Sequence, residues 1–472
     1  MTTHAPSRWR RALRPPKRRQ SRPELDVADI QGNVIRGYTY PAAAYVFARV
    51  DEPEAGRRWL TRLADQVTDA RPWGDERPEA TLNAALTASG LTAVGVPDDV
   101  LATFPEEFRQ GMAARAELLG DVGRSAPEQW EQPLGTGEAH VFLTLHAEHD
   151  EALVARIASI RDDLDDLGGI EVVYEQHAVH PLGGRDHFGF LDGVSQPVIE
   201  GGGVEARPGD GVFGKRGRWR AMKAGDFILG YVDEDGVLPE APRDPLGDNG
   251  TYMIFRKLAM DVALFRRTIH EAAKHYPHGD EELLAAKVVG RWRDGTPLAV
   301  CPHAPDATVV SDPARINDFR YEDDPDGLKC PIGAHIRRAN PRDALGFEGA
   351  TVRRHRIIRR GRPYGPPLPE GVLEDDGVER GLVFTCFNAS IARQFELIQR
   401  IWVEDGDAFG LADDKDFLIA GGRGSNKMTI QGNPPFFLSP QPGFVTTRGG
   451  EYLFRPGLRA LRALGAGPSA LR

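Results

Sequence analysis

Residues 139–179 read AHVFLTLHA-EHD-EALVARIASIRDDLDDL-GG-IEVVYEQHAV. The first nine are mostly apolar and read as a strand. Residues 151–167 carry the apolar stripe of an amphipathic helix, and 170–179 read as a second strand. Upstream, AAAYVFARV (42–50) and ATLNAALTAS (80–89) read as strands. Between them, EAGRRWLTRLADQVTDA (54–70) places Trp59, Leu60, Leu63 and Val67 on one helical stripe. Residues 105–119 add a further predicted helix.

The resulting order is β-α-β-α-β-α-β. With the middle helix set aside as an insertion, it is the βαββαβ ferredoxin-like plan. Residues 201–250 then turn rich in Gly, Pro and charge, and a second strand–helix rhythm follows. GTYMIFRKLAM (250–260) and LVFTCFNAS (382–390) read as strands. Asp261 can cap the helix at 262–276, and IARQFELIQRIWVE (391–404) is a strongly striped helix. FFLSP (436–440) and FVTTRGGEYLFRP (444–456) suggest a hairpin turning at Gly449-Gly450. The expected class is α+β: a basic tail at 1–24, a ferredoxin-like domain at 25–200, and a second at 201–472 with long insertions. Such insertions usually carry function.

The 472 residues are 40% hydrophobic and 27% charged, enough for a sizeable core. Net charge is −10, although residues 8–22 hold eight basic residues, which leaves about −18 on the rest. That balance argues against a nucleic-acid partner. No apolar run of 18 residues predicts a membrane span. No apolar stretch follows the basic tail, so no secretion signal is expected and the reading is cytoplasmic. Cys301, Cys330 and Cys386 read as reduced core cysteines.

Three stretches carry candidate chemistry. FGFLDGVSQP (188–197) puts one carboxylate, Asp192, among apolar residues and glycines, where a charge is costly. CPIGAHIRRANPRD (330–343) surrounds His335 with Arg337, Arg338 and Arg342. A buried histidine there would stay neutral and could bind iron or copper, and the arginines would suit the carboxylates of a haem edge. The same residues would equally make a basic surface loop. VRRHRIIRRGRPYG (352–365) brings Ile357 and Ile358 toward the core, so that Arg359 could point inward before Gly361. Alternatively, the run is a basic patch that pairs with the acidic segment 374–377.

Taken in order, the three stretches resemble the dye-decolorizing peroxidases. Gly189-Phe190-Leu191-Asp192-Gly193 matches the family's GxxDG signature. CPIGAHIRRANPRD matches its axial-histidine motif, and Arg359-Arg360-Gly361 matches its distal arginine triplet. Asp192 and His335 are 143 residues apart, His335 and Arg359 24. The likeness runs from about residue 29 to 457, and the insertions resemble the larger members.

The resemblance implies two ferredoxin-like domains with one haem b per chain, held in the C-terminal one. It implies a peroxidase that uses hydrogen peroxide to oxidise dyes and phenolic or other aromatic donors. Asp192 is then the acid/base, Arg359 the electrostatic stabiliser and His335 the axial ligand, with Gly193, Arg337 and Arg338 against the cofactor. Glu396 is expected as the acceptor for the second nitrogen of His335. Tyr364 and Trp402 are expected to relay electrons from donors too bulky to enter. The alternative is a haem carrier or deferrochelatase-like protein with little turnover. A carboxylate base also implies activity reaching to acid pH.

Overall fold

The computed structural model describes residues 24–471 except 75, 181, 215–216, 278–279 and 423–425, and the side chain of 182. Most of the basic tail therefore lies outside the described residues.

The first half follows the expected plan. Strands β1 (Ala42–Val50), β2 (Ala80–Leu86), β3 (Val141–Ala147) and β4 (Ile170–Val179) alternate with helices α1 (Pro53–Gln66) and α2 (Asp150–Leu167). The expected helix at 105–119 is broken into short turns. Gly111, at φ +76°, ends its first segment, Glu106–Gln110.

The second half repeats the plan. Its elements are β5 (Thr251–Met260), α3 (Val262–Ala273), α4 (Glu281–Val289), the short strands β6 (Ile358–Arg359) and β7 (Arg362–Tyr364), β8 (Gly381–Asn388) and β9 (Val445–Arg455). Asp261 caps α3 through the Leu264 N–H at 2.8 Å. The striped segment after β8 is wound as a π-helix over Ala392–Glu396 and Ile398–Val403.

Every ladder in the main sheet is antiparallel, in the order β4-β1-β3-β2-β9-β5-β8-β6, with β7 also on β8. Each half thus has its last strand beside its first, and the pair Phe454–Leu86 joins them. The outer strands β4 and β7 lie against each other. The sheet curls around a shared core of Tyr45, Phe47, Phe142, Met253, Phe255, Val383, Phe387 and Leu453.

The hairpin expected at Gly449-Gly450 is not there. β9 runs straight through both glycines with a register shift, and Phe436–Gln441 pairs with Asn426–Ile430 instead. A Cβ at Gly449 would lie 2.2 Å from Leu134, and one at Gly450 2.2 Å from Met112. These glycines serve close packing rather than a turn.

On the outer face of the first half, α1, α2 and the C-terminal helix α5 (Leu458–Ala466) bury Trp59, Leu63, Ile157, Ile160, Leu461 and Leu464. On the outer face of the second half, strand alternation aims Arg256, Leu258 and Met260 of β5 away from the barrel core. Leu382 and Phe384 of β8 and Val445 and Thr447 of β9 face the same way. These residues line a cavity.

Candidate active site

The cavity collects side chains from distant parts of the chain. Asp192, Gly193, Arg359 and His335 all line it, beside Leu258, Met260, Val289, Leu382, Phe384 and Leu418.

Strand alternation explains Arg359. Ile358 points into the barrel core while Ile357 and Arg359 face the cavity. Arg360 and Arg362 turn the other way and donate to backbone carbonyls of Asn33, Ile35, Tyr38 and Tyr40. These two arginines of the run are therefore anchors. The segment 374–377 is paired through Asp376 with Arg380 instead.

Asp192 sits on the loop that Arg359 holds. The Arg359 N–H donates to Gln196 Oε1 at 3.0 Å, and Arg359 Nη1 donates to Asp192 Oδ1 at 3.3 Å. Gly193 takes φ +75° with open space where a Cβ would lie, so conformation rather than crowding favours glycine there. The apolar neighbours of Asp192 in the sequence pack away from it. Phe188 and Phe190 pack on Phe265, whereas the Asp192 side chain is 41% exposed. The cost of burial falls on Asp186, six residues earlier and also on the cavity wall. Burial pushes its carboxyl up to about 7, Asp192 adds to the shift, and the Phe190 N–H at 3.0 Å only partly offsets it.

His335 opens the short helix His335–Ala339. Its Nδ1 is 2.9 Å from Asp416 Oδ2, and the 22% of its side chain that is exposed opens into the cavity. Asp416 is fully buried and accepts from the Leu418 and Ile419 N–H groups, both at 3.0 Å. Burial raises the Asp416 carboxyl, but the adjacent His335 outweighs it and holds the group below the usual range. Burial opposes charge on His335, and Asp416 reverses that to a net rise.

The expected acceptor, Glu396, is elsewhere. It binds Arg115 Nη2 at 2.6 Å and accepts from the Tyr452 hydroxyl at 2.8 Å. Its apolar neighbours made it conspicuous, but the π-helix turns it toward β9. No spacing signalled Asp416, which lies 81 residues past His335 in the polar stretch 412–416.

Arg337 and Arg338 also do not meet the cavity. Arg337 bonds Asp324 Oδ2 at 3.1 Å and the Cys330 carbonyl at 2.8 Å. Arg338 donates to the carbonyls of Trp402, at 2.9 Å, and Asp414. One turn of so short a helix carries both side chains behind the histidine. Arg342 and Arg356 line the wall instead. Among the described residues Arg342 bonds neutral oxygens, of Asn317 and Phe319. Burial and neighbouring Arg342 and Arg359 bring Arg356 down to about 10.

These features fit haem. Among the described residues no group of three or more His, Cys, Asp or Glu could hold a metal ion. A lone histidine suits an iron whose other ligands come from a macrocycle. The wall is largely apolar, and Arg342 and Arg356, which have no carboxylate partner among the described residues, supply cations for its propionates.

Tyr364 and Trp402 are both 4% exposed. Trp402 meets the ring of His355, a cavity residue, edge-on at 5.4 Å. Tyr364 donates to Glu379 at 3.1 Å and does not reach the cavity. Among the described residues, no helix is long and apolar enough to cross a membrane.

Comparison with known proteins agrees with this geometry. The family model described as "DyP dimeric alpha+beta barrel domain" matches residues 29–179, and "Dyp-type peroxidase, C-terminal" matches 234–413. The dye-decolorizing peroxidase msp1 of Mycetinis scorodonius is 28% identical, over 93% of this chain and 88% of its own. The multifunctional dye peroxidase DyP2 of an Amycolatopsis strain is 31% identical, over 92% and 95%. A solved dye-decolorizing peroxidase in complex with 2,6-dimethoxyphenol superposes with a TM-score of 0.81 at 27% identity, covering 94% of this chain and all of that one. The chain belongs to the dye-decolorizing peroxidase family, and is a haem-dependent oxidoreductase.

Proposed function

We propose that Asp192, Arg359 and His335 are the working residues of this peroxidase, with phenolic and other aromatic compounds and bulky dyes as electron donors. The observation that carries the reading is their convergence on one cavity from three separate stretches, with Asp416 behind the histidine. Haem, when bound, supplies the redox-active iron that takes the oxidising equivalents of peroxide.

His335 has its Nδ1 committed to Asp416, which leaves Nε2 for the iron. The carboxylate makes the imidazole a stronger donor. Asp192 takes a proton from one oxygen of hydrogen peroxide and returns it to the other, which leaves as water. Arg359, 3.3 Å away, orients that carboxylate and stabilises charge on the departing oxygen. Donors too large for the cavity pass electrons inward. Trp402 reaches the wall through His355, and Tyr364 lies toward the half-exposed Glu379. Three cysteines held as free thiols support a cytoplasmic setting.

The carrier reading is not favoured, because relatives matched over nearly their whole length are named peroxidases. Rapid mixing of the purified holoprotein with peroxide decides the matter. A fast spectral change followed by oxidation of an added phenol is expected. A haem-bound protein with no peroxide-dependent change would be a carrier.

A further inference from the structure

The cavity holds a second carboxyl that the chemistry above leaves idle. Residues 184–192 fold back on themselves as a small hairpin. Arg185 bridges Leu191, the Asp186 N–H donates to the Phe190 carbonyl at 2.9 Å, and the Asp192 N–H donates to the Gly184 carbonyl at 2.8 Å. That register sets Asp186 across from Phe190 and diagonal to Asp192, and diagonal pairs stand about 7–8 Å apart. Both aspartates line the cavity. Asp186 is enclosed by protein yet keeps accessible surface, and the cavity is what that surface faces.

The two acids have unlike surroundings. Asp192 is 41% exposed, with Arg359 Nη1 at 3.3 Å. Around Asp186 the cations are spent elsewhere. Arg185 donates to the carbonyls of Gly189 and Arg293, and Arg293 to the Phe188 carbonyl and to Glu282. Among the described residues, the Asp186 carboxyl accepts the Phe190 N–H at 3.0 Å. Asp192 and His335 are the titratable groups that act on it through space, in opposite senses. Two carboxyls placed so differently in one site divide into a base and an acid.

The reaction needs that acid. One peroxide oxygen leaves as water with both of the peroxide's protons, which Asp192 redistributes. The oxygen that stays becomes water only by taking up two electrons and two protons. A donor held outside the cavity sends in electrons and loses its own proton to bulk water, so protons must enter separately. We propose that Asp186 is the acid that supplies them. Its O–H bond breaks as an electron arrives, the proton passes to the retained oxygen, and the carboxylate takes a new proton from solvent at the open side of the cavity, where Asp192 is exposed. The role rests on the peroxidase reading.

Stopped-flow mixing of the holoenzyme, and of Asp186→Asn holoenzyme, with peroxide and then with ferrocyanide tests the proposal. Ferrocyanide carries an electron and no proton. Asparagine keeps an acceptor for the Phe190 N–H, so the hairpin is retained. The peroxide-driven spectral change should run at the wild-type rate in the variant, and the ferrocyanide-driven return should slow about 100-fold. In the wild type the return should also slow as pH rises through about 7, because only the neutral carboxyl can give a proton, and the variant should lack that fall. Equal return rates in the two proteins overturn the proposal. So does slowing of both phases alike, which would make Asp186 a structural prop for Asp192. Infrared difference spectra in mildly acidic buffer read the acid without turnover. The variant should lose one protonated-carboxyl band, and a spectrum with no band lost overturns the proposal. A wild type that shows no change with peroxide sinks the peroxidase reading, whereas an unslowed return in an active pair sinks Asp186 alone.

Discussion

The two halves share one strand order and use its outer face in opposite ways. In the first, α1, α2 and α5 close over the sheet with Trp59, Leu63, Ile157 and Leu461. In the second, long irregular stretches replace part of that cover, and the face carries Arg256, Leu258, Met260, Leu382 and Phe384 around a cavity. One half converts apolar face into stability. The other keeps it as a binding surface, with charged groups placed from strands, a short helix and loops. The sheet is scaffold in both, and the insertions make the difference.

The sharpest break between the halves is expected at His335. His335→Ala should abolish the Soret band on reconstitution and reduce dye oxidation to background. A band that survives would remove His335 as the ligand. Asp192→Asn and Arg359→Leu should each keep the band and slow peroxide consumption, by about 10²–10⁴ for the proton carrier and about 10²–10³ for the fixed charge. Full-rate turnover in both would sink their roles. In the closed half, Trp59→Ala should cost about 3–5 kcal/mol of stability by opening a cavity in the core. Its iron spectrum should be unchanged, since the ring packs in the core under α1 and does not line the cavity. Denaturant unfolding alongside the Soret spectrum separates the two kinds of effect.

Local pattern made much of the fold legible. β4 begins and ends where its alternation predicts, and the two strand–helix rhythms follow the repeated topology. What pattern missed was set by distant packing. Gly449 and Gly450 read as a turn because glycine breaks strands, but they admit Leu134 and Met112 against β9. Asp192, His335 and Arg359 were legible because flanking motifs mark each. Asp416 was not, because a carboxylate in a polar stretch looks like any other until the fold brings it to 2.9 Å from an imidazole.

That contrast gives the next test. Asp416→Asn removes the charge behind His335 and should lower haem affinity or activity about 10–100-fold. It should also raise the reduction potential, a readout that a merely structural change would not move. Glu396→Gln should leave the potential unchanged and cost about 1–2 kcal/mol, because it weakens the bonds to Arg115 and Tyr452. The reverse pattern would restore Glu396 as the group behind the histidine.

The smallest effect concerns Asp186, where the open half carries a cost the closed half avoids. Its carboxyl moves from the ordinary 3.8 to about 7 on folding, mainly through burial. The folded state therefore binds more protons than the unfolded chain between those values. The contribution of Asp186 is fully present below pH 4 and is lost as pH rises toward 7. Asp186→Asn abolishes this dependence. The stability of the wild type relative to the variant should then fall between about pH 4 and 7 and level off above. The other raised carboxyls, Asp121, Asp210, Asp226, Glu404 and Glu451, are present in both proteins and cancel in the difference. Parallel curves of Tm against pH for the two holoenzymes would show that the cavity does not hold Asp186 as an acid. A difference that closes with rising pH would show that it does, and that the loop bearing Asp192 is built around a buried carboxyl kept neutral.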